Sequence, residues 1–141
     1  MLRILRLGCI FASFLFALSA AQTPNLENEL KSVLERNIKA ANEEDIVGYL
    51  LTVHLESPVY GVTQDVLEPQ FATYDLAFEL LELRLLTVDG EYAFARGRQR
   101  TTKLAGPDFT DGVTDSVYVF RREGGAWKLW QQSPLETLPT R

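Results

Sequence analysis

The strongest strand and turn signals of this chain lie near the C-terminus, in Val117-Tyr118-Val119-Phe120-Arg121-Arg122-Glu123-Gly124-Gly125-Ala126-Trp127-Lys128-Leu129. β-Branched and aromatic residues, which favour strands, precede the glycine pair, and apolar and polar residues alternate after it. The glycine pair supplies the positive φ angles that a tight hairpin turn needs. The stretch therefore predicts two antiparallel strands, Val113–Arg122 and Ala126–Gln132.

A second hairpin is predicted upstream. From Asp75 the apolar residues recur at every second position and shift register once, in the order Leu76, Phe78, Leu80, Leu83 and Leu85. This pattern predicts a long strand with a bulge near Leu81. Val88-Asp89-Gly90-Glu91 predicts a tight turn, because Asp-Gly readily adopts the backbone angles of such a turn. The returning strand is predicted over Tyr92–Leu104.

The first half of the chain has the helical period, with apolar residues at every third or fourth position. The first helix is predicted from Thr23-Pro24 to about Ala41, on a stripe formed by Leu26, Leu30, Val33, Leu34, Ile38 and Ala41. An acidic break, Asn42-Glu43-Glu44-Asp45, follows it. A second, shorter helix is predicted to continue through Val53 and to end before Ser57-Pro58, since a residue before proline disfavours the helical region.

A third helix is predicted over Thr63–Tyr74, with a kink or a division at Pro69. Helices followed by a four-stranded meander make an α+β fold. A long, curved, mainly antiparallel sheet wrapped around the N-terminal helices would form a cone with an internal pocket. The bulge near Leu81 would supply the curvature.

Composition limits the function classes. The chain has 141 residues, of which 46% are hydrophobic, with 14 Lys and Arg against 19 Asp and Glu. This length and apolar content predict a single globular domain and exclude a disordered chain. The formal charge of −5 argues against nucleic acid and against an anionic membrane surface as the main partner, since both require a dominant basic face.

Residues 1–21 have the composition of a secretory signal peptide. Two arginines precede an apolar stretch, Leu7–Leu18, and Ser19-Ala20-Ala21 then offers small residues for cleavage before Gln22. The apolar run of about 15 residues is shorter than the roughly 20 that a spanning helix needs. We therefore expect an exported protein, periplasmic or secreted, with no membrane anchor after cleavage.

The mature chain is predicted to hold one domain, residues 22–133, followed by a loose tail over residues 134–141 that contains two prolines. Cys9 is the single cysteine and is removed with the leader, so we expect no disulfide and no cysteine metal site. One histidine, His54, cannot form a histidine-rich metal site. No metal and no cofactor are expected.

Several local strings resemble those of the nuclear transport factor 2-like superfamily, which includes SnoaL-like cyclases, ketosteroid isomerase and scytalone dehydratase. The resemblance spans Leu26–Gln132 and rests on Glu43-Glu44-Asp45, on Tyr74-Asp75-Leu76 and, most strongly, on the hairpin Val117–Leu129. His54–Pro58 and Gly106–Phe109 resemble exported members of the same superfamily. The resemblance implies the cone fold, an internal pocket and a homodimer that packs through the outer face of the sheet. It carries no catalytic signature, and many unrelated functions occur on this fold.

Strand alternation predicts which side chains face the pocket. One face of the second strand carries Ala93, Ala95 and Gly97, small residues that suit a crowded concave surface, followed by Gln99 and Thr101. On the last strand, Trp127 and Gln131 are expected on the inner face. Tyr118 is added for its hydroxyl. The predicted ligand-binding residues are therefore Gln99, Thr101, Tyr118, Trp127 and Gln131, and the predicted ligand is a small, largely apolar molecule.

The opposite face of the second strand carries Arg96, Arg98 and Arg100. In one interpretation, these guanidinium groups bind a carboxylate or a phosphate. In the other, which we favour, they form a solvated face that pairs with Glu79 and Glu82 of the neighbouring strand.

Catalytic candidates come from the resemblance. A pocket histidine paired with an aspartate transfers the proton in scytalone dehydratase and SnoaL-like enzymes, which suggests His54 with Asp75 or Asp115. In the alternative, His54 has a structural role at the end of a helix, where it bonds to the last carbonyl groups. Ketosteroid isomerase uses a different set of aspartates and a tyrosine, and no pair here matches it residue by residue. Asp75, Arg84 and Asp115 also have the residue types of the relay in limonene epoxide hydrolase.

Three functions follow from these features. The first is an exported, non-catalytic pocket domain that binds a small, largely apolar molecule. The second is an enzyme of the isomerase, dehydratase or cyclase kind that uses His54 and an aspartate. The third is a homodimeric interaction module whose pocket is filled by its own side chains. A carboxylate beside His54 in a cavity would favour the second, and a cavity without such groups the first.

Overall fold

The computed structural model describes residues 23–140, with side chains from Asn25 onward. The elements follow in the order α1 (Thr23–Asn42), α2 (Ile46–Leu50), α3 (Tyr60–Thr73), β1 (Asp75–Asp89), β2 (Tyr92–Ala105), β3 (Gly112–Glu123) and β4 (Ala126–Pro139). The predicted signal peptide, residues 1–21 with Cys9, lies outside the described residues. None of the helices within residues 23–140 is long and apolar enough to cross a membrane.

The four strands form one antiparallel sheet in the order β1-β2-β3-β4. This confirms the predicted α+β fold with a four-stranded meander. Tight turns join β1 to β2 and β3 to β4, with a φ of 57° at Gly90 and 83° at Gly125, values that glycine adopts without strain. The register of β1 and β2 shifts between Leu80 and Glu82, so the bulge predicted near Leu81 is confirmed. Such a bulge bends the strand and lets the sheet curve around the helices.

The core forms where α1 lies against the concave face of the sheet. It contains Leu30, Val33, Leu34 and Ile38 from α1, and Leu83, Ala93, Ala95, Tyr118, Phe120, Trp127 and Leu129 from the sheet. Burial of each large side chain stabilises the fold by about 2 kcal/mol. Small Ala93 and Ala95 lie beside large Phe120 and Tyr118 across the β2–β3 pair. The predicted stripe of the first helix and the predicted small inner face of β2 therefore both contribute to the core.

Side chains of α1 pair with the free edge of β1. The Asn42 amide donates to the carbonyl oxygen of Phe78 at 2.9 Å and accepts from the N–H of the same residue at 2.7 Å. Glu27 accepts from the N–H of Leu85 at 2.8 Å. These bonds fix α1 along the edge strand and occupy backbone groups that would otherwise be open to another chain.

α2 is shorter than the sequence predicts. It has five residues, and the Asp45 carboxylate caps it by accepting from a backbone N–H of the first turn at 2.9 Å. A turn follows, in which the N–H groups of Thr52 and Val53 donate to the carbonyls of Tyr49 and Leu50. Val53 then forms a parallel bridge with Leu129. Leu129 donates to the carbonyl of Thr52 at 2.8 Å, and His54 donates to the carbonyl of Leu129 at 2.9 Å. The prediction of a helix through Val53 is wrong because these backbone groups pair with β4 instead.

α3 begins at Tyr60, three residues earlier than predicted. The Thr63 hydroxyl donates to the carbonyl oxygen of Val59 at 2.6 Å within the first turn. Pro69 lies inside this single helix and does not divide it into two. Leu67 is buried, whereas Val66 on the outer side is exposed, so α3 contacts the rest of the domain along a narrow line.

β4 continues past its predicted end to Pro139. Its second half pairs with β3, with Pro134 opposite Ser116 and Pro139 opposite Gly112. The prediction of a loose tail is therefore wrong over residues 134–139. Proline is tolerated there because β4 is an edge strand of the described sheet, where half of the N–H groups face away from the neighbouring strand.

We expect Gly97 to be intolerant of a side chain. A Cβ there would lie 2.9 Å from Leu83 Cδ1 and 3.0 Å from both the Glu82 carbonyl oxygen and Tyr118 Cε2. Gly97→Ala should lower the free energy of unfolding by about 1–3 kcal/mol, measured by urea unfolding. Gly61→Ala in α3 is the matched control, because a Cβ there meets nothing within 4 Å. Equal losses in the two variants would contradict this explanation.

Candidate functional site

A cavity of about 170 Å³ lies between the three helices and the concave face of the sheet. Half of its lining is apolar (Ile38, Ala41, Leu67, Phe71 and Phe78) and half is polar but uncharged (Asn37, Tyr49, Gln70, Gln99 and Gln132). Among residues 23–140, none that lines it carries a carboxylate, imidazole, ammonium or guanidinium group. Three other depressions, of about 250, 360 and 470 Å³, are open grooves with charged side chains on their walls.

Core side chains fill the remaining interior of the cone. Tyr118 and Trp127, which the sequence predicts as ligand-binding residues, belong to this core and do not line the cavity. Thr101 lies opposite Phe78 on the inner face but is also outside the lining. Gln99 is the predicted ligand residue that the structure places at the cavity. The cone is therefore filled only in part.

A bulge in β4 decides which glutamine faces inward. Leu129 lies opposite Phe120, but Gln131 lies opposite Val119, so Trp130 is an extra residue between the two pairs. Beyond it the alternation of faces is inverted. Gln132 joins the inner face and lines the cavity. The prediction that Gln131 faces inward is therefore wrong. Its Nε2 donates to Ser133 Oγ on the exposed surface, at 3.2 Å.

Gln132 connects the cavity to the buried hydroxyls behind it. Its Nε2 lies 3.2 Å from both Ser116 Oγ and Tyr118 Oη, and both of those residues are fully buried. Burial raises the pKa of Tyr118 to about 12. Burial also raises the pKa of Tyr49 in the lining, an effect that a hydrogen bond from Asn37 partly offsets. Both phenols therefore stay neutral through the physiological range.

Asn37 is a polar residue on the apolar face of α1. It is 5% exposed, and its Nδ2 donates to Thr52 Oγ1 at 2.7 Å. The Thr52 hydroxyl in turn donates to the carbonyl oxygen of Tyr49 at 2.6 Å. Asn37 is not among the predicted site residues, although its spacing is informative. It follows Leu34 by three residues and precedes Ala41 by four, which places it on the buried stripe.

His54 lies outside the cavity. It is 4% exposed, its Nε2 lies 3.2 Å from the carbonyl oxygen of Arg122, and its Nδ1 accepts from the N–H of Glu56 at 3.0 Å. The ring also packs edge-on against Trp130, with the centroids 5.1 Å apart. Because Nδ1 accepts, the proton is on Nε2 and is donated to Arg122. Both ring nitrogens are therefore hydrogen-bonded to backbone groups outside a helix, Arg122 in β3 and Glu56. The alternative in which His54 bonds to the last carbonyls of a helix is wrong.

The candidate aspartates also lie outside the cavity lining. Asp115 faces the outside of the sheet, where Arg96 donates to its two oxygens at 2.9 and 2.5 Å. This hydrogen bond lowers the pKa of Asp115. Asp75 is the exposed first residue of β1, and Arg84 lies opposite Arg96 on the outer face. Neither the histidine–aspartate pair nor the Asp-Arg-Asp relay that the resemblance suggests is assembled at the cavity.

The arginine row of β2 lies on the outer face of the sheet. Arg100 pairs with Glu79 at 2.5 Å, as predicted, and Arg96 pairs with Asp115 rather than with Glu82. All these side chains except Asp115 are largely exposed. The arrangement agrees with a solvated, charge-paired face. The homodimer through this face stays a prediction.

Residues 32–139 match the family described as the C-terminal domain of anti-sigma-I factor RsgI9. The chain belongs to this family. Among curated proteins, none matches the sequence. The part that matches the RsgI9 C-terminal domain family includes all four strands and all residues of the cavity lining.

Solved structures confirm the fold. An NTF2-like protein of unknown function from Pseudomonas putida KT2440 has a TM-score of 0.61 at 20% identity, over 77% of this chain and 84% of that one. A candidate dehydratase of the NTF2-like family from Streptomyces avermitilis has 0.64 at 19% identity, over 81% and 99%. The beta subunit of benzoate 1,2-dioxygenase from Burkholderia mallei has 0.64 at 11% identity, over 76% and 87%. The cone fold implied by the resemblance is thus confirmed.

The raised pKa of Tyr118 predicts a loss of stability in alkali. Below about pH 10 the phenol is protonated in both states, and above it the unfolded chain loses the proton first because its pKa is lower. With a folded pKa of about 12, this difference removes about 1 kcal/mol of unfolding free energy at about pH 11. Tyr118→Phe should therefore lose less stability than the unaltered protein between about pH 9 and pH 11.

Urea unfolding at several pH values measures this difference. Tyr60→Phe, at the start of α3, is the control. Its free energy of unfolding should fall at alkaline pH by as much as that of the unaltered protein. An identical loss in Tyr118→Phe and in the unaltered protein would show that the buried phenol does not contribute to it.

Proposed function

We propose that this chain is an exported, non-catalytic domain that binds one small, uncharged, largely apolar molecule in the cavity. The composition of the lining supports this most directly, with five apolar and five neutral polar side chains. Burial against the apolar half would stabilise the body of the ligand, and the polar half would orient it.

The volume of the cavity limits the ligand to about one ring. An engineered apolar cavity of about 150 Å³ in another protein holds benzene, and the cavity here has about 170 Å³. Pockets for drug-sized ligands have roughly 300–1,000 Å³. A molecule of several fused rings would have to displace α3, which supplies Leu67, Gln70 and Phe71 to the lining.

The lining favours binding over catalysis. The proton transfers of isomerases and dehydratases need a general acid or base within reach of the ligand. The described lining offers side-chain amides and one phenol, Tyr49, whose pKa is raised. His54, the candidate base, lies outside the lining, and both of its ring nitrogens are hydrogen-bonded to backbone groups.

Filling the cavity should abolish binding. In native mass spectrometry, protein purified without denaturant is expected to carry the extra mass of one small molecule. Ala41→Leu should lose this mass, because the larger side chain would occupy the cavity that Ala41 lines. Ala72→Leu, at an exposed position of α3, is the control and should keep it. The proposal fails if the unaltered protein carries no extra mass or if Ala41→Leu retains it.

Export makes a separate prediction about the N-terminus. Expressed with its own leader in a bacterial host, the protein should be recovered outside the cytoplasm with a mass that begins at Gln22. Ala21→Leu should block this processing, because the residue before the cleavage site must be small. Recovery of the uncleaved chain in the cytoplasm would contradict export without affecting the binding proposal.

A further inference from the structure

We infer that the cavity selects an uncharged ligand whose polar end both donates and accepts hydrogen bonds, as a carboxamide or a lactam does. This inference rests on the proposed function, that the cavity binds a ligand, and adds the chemical class of that ligand. It follows from the hydrogen bonds that the polar lining already makes and from those that it leaves open.

Asn37 presents an acceptor on the side away from Thr52. The Thr52 hydroxyl has one proton, which it gives to the carbonyl oxygen of Tyr49 at 2.6 Å, so towards Asn37 it accepts. The contact of 2.7 Å from Asn37 Nδ2 to Thr52 Oγ1 is therefore fixed in its orientation, and Oδ1 points the other way. Because Asn37 lines the cavity, a ligand N–H or O–H would bond to this oxygen.

Two further side-chain amides present both hydrogen-bond donors and acceptors. Gln70 on α3 and Gln99 on β2 line the cavity, and within residues 23–140 their side chains make no hydrogen bond to another side chain or to the backbone. Each carries an N–H₂ donor and a carbonyl acceptor on one carbon. A ligand with only donors or only acceptors would leave half of this set unpaired, whereas a carboxamide or lactam matches it.

Charged and wholly apolar ligands fit the lining less well. A carboxylate would enter a site whose described lining has no cation, and an ammonium a site that has no anion. Burying an unpaired ion is strongly unfavourable. A hydrocarbon would leave the amides of Gln70 and Gln99, which line the cavity, without a hydrogen-bond partner in the ligand.

Four probes of nearly equal size test the inference: benzamide, benzoate, benzylammonium and toluene. Each is titrated against the purified protein at neutral pH, with binding followed by ligand-observed NMR. Benzamide should bind at least about tenfold more tightly than each of the other three, the ratio expected when one or two hydrogen bonds are gained. Ala41→Leu should remove the binding, which locates it in the cavity.

A pair of glutamine variants tests which side chains select the ligand. Gln99→Leu has nearly the same size without the amide, so it should weaken benzamide binding about tenfold and strengthen toluene binding. Gln131→Leu is the matched control, because Gln131 lies on the outer face of β4. It should leave both affinities unchanged.

The outcomes separate the inference from the proposed function. If a charged probe or toluene binds as tightly as benzamide and Ala41→Leu removes that binding, the cavity is a ligand site but the inferred class is wrong. An equal effect of Gln99→Leu and Gln131→Leu also overturns the inference. If none of the four probes binds and the purified protein carries no extra mass, the proposed function fails and the inference fails with it.

Discussion

The cavity depends on the pairing of residues 52–54 with the edge of β4. Two backbone hydrogen bonds hold Thr52 and His54 against Leu129, and the Ser57 hydroxyl adds a third bond, to the carbonyl oxygen of Trp130 at 2.6 Å. This attachment draws the chain out of α2 and sets α3 against the open side of the sheet. It also places Thr52 where its hydroxyl orients the amide of Asn37. The only histidine of the chain thus supports the wall of the pocket from behind.

Most of the fold can be predicted from local patterns, because the turns and strands here are determined locally. Asp89-Gly90 and Gly124-Gly125 are turns by their own backbone preferences. The bulge at Leu81 is visible because the apolar pattern itself shifts there. The end of α2 cannot be found in this way, since Val53 continues the helical period. Its bridge to Leu129 is a contact between distant parts of the chain, and such contacts override a weak local preference.

The site is harder to predict than the fold, for reasons that differ between residues. Gln99 can be predicted because alternation runs without interruption along the inner part of β2. Asn37 is detectable in principle, as an amide on an otherwise apolar helix face. Gln70 and Tyr49 have no such signal, because α3 and α2 reach the cavity through the tertiary arrangement. Tyr118 and Trp127 do face inward, but they pack in the hydrophobic core and do not line the cavity. The alternation of residues along a strand does not distinguish a filled interior from an open one.

The extra residue in β4 reverses which side chains of the strand face the helices. On its N-terminal side the odd-numbered residues of β4 face the helices. Between Trp130 and a second register shift at Leu135, the even-numbered residues do. The side chains that β4 presents to the interior therefore depend on the number of residues around Trp130 as much as on which residues they are. Loss or gain of one residue there would exchange Gln132 for a neighbour without any substitution. Relatives with this fold can thus acquire different pockets through a change that a position-by-position comparison would record as a gap.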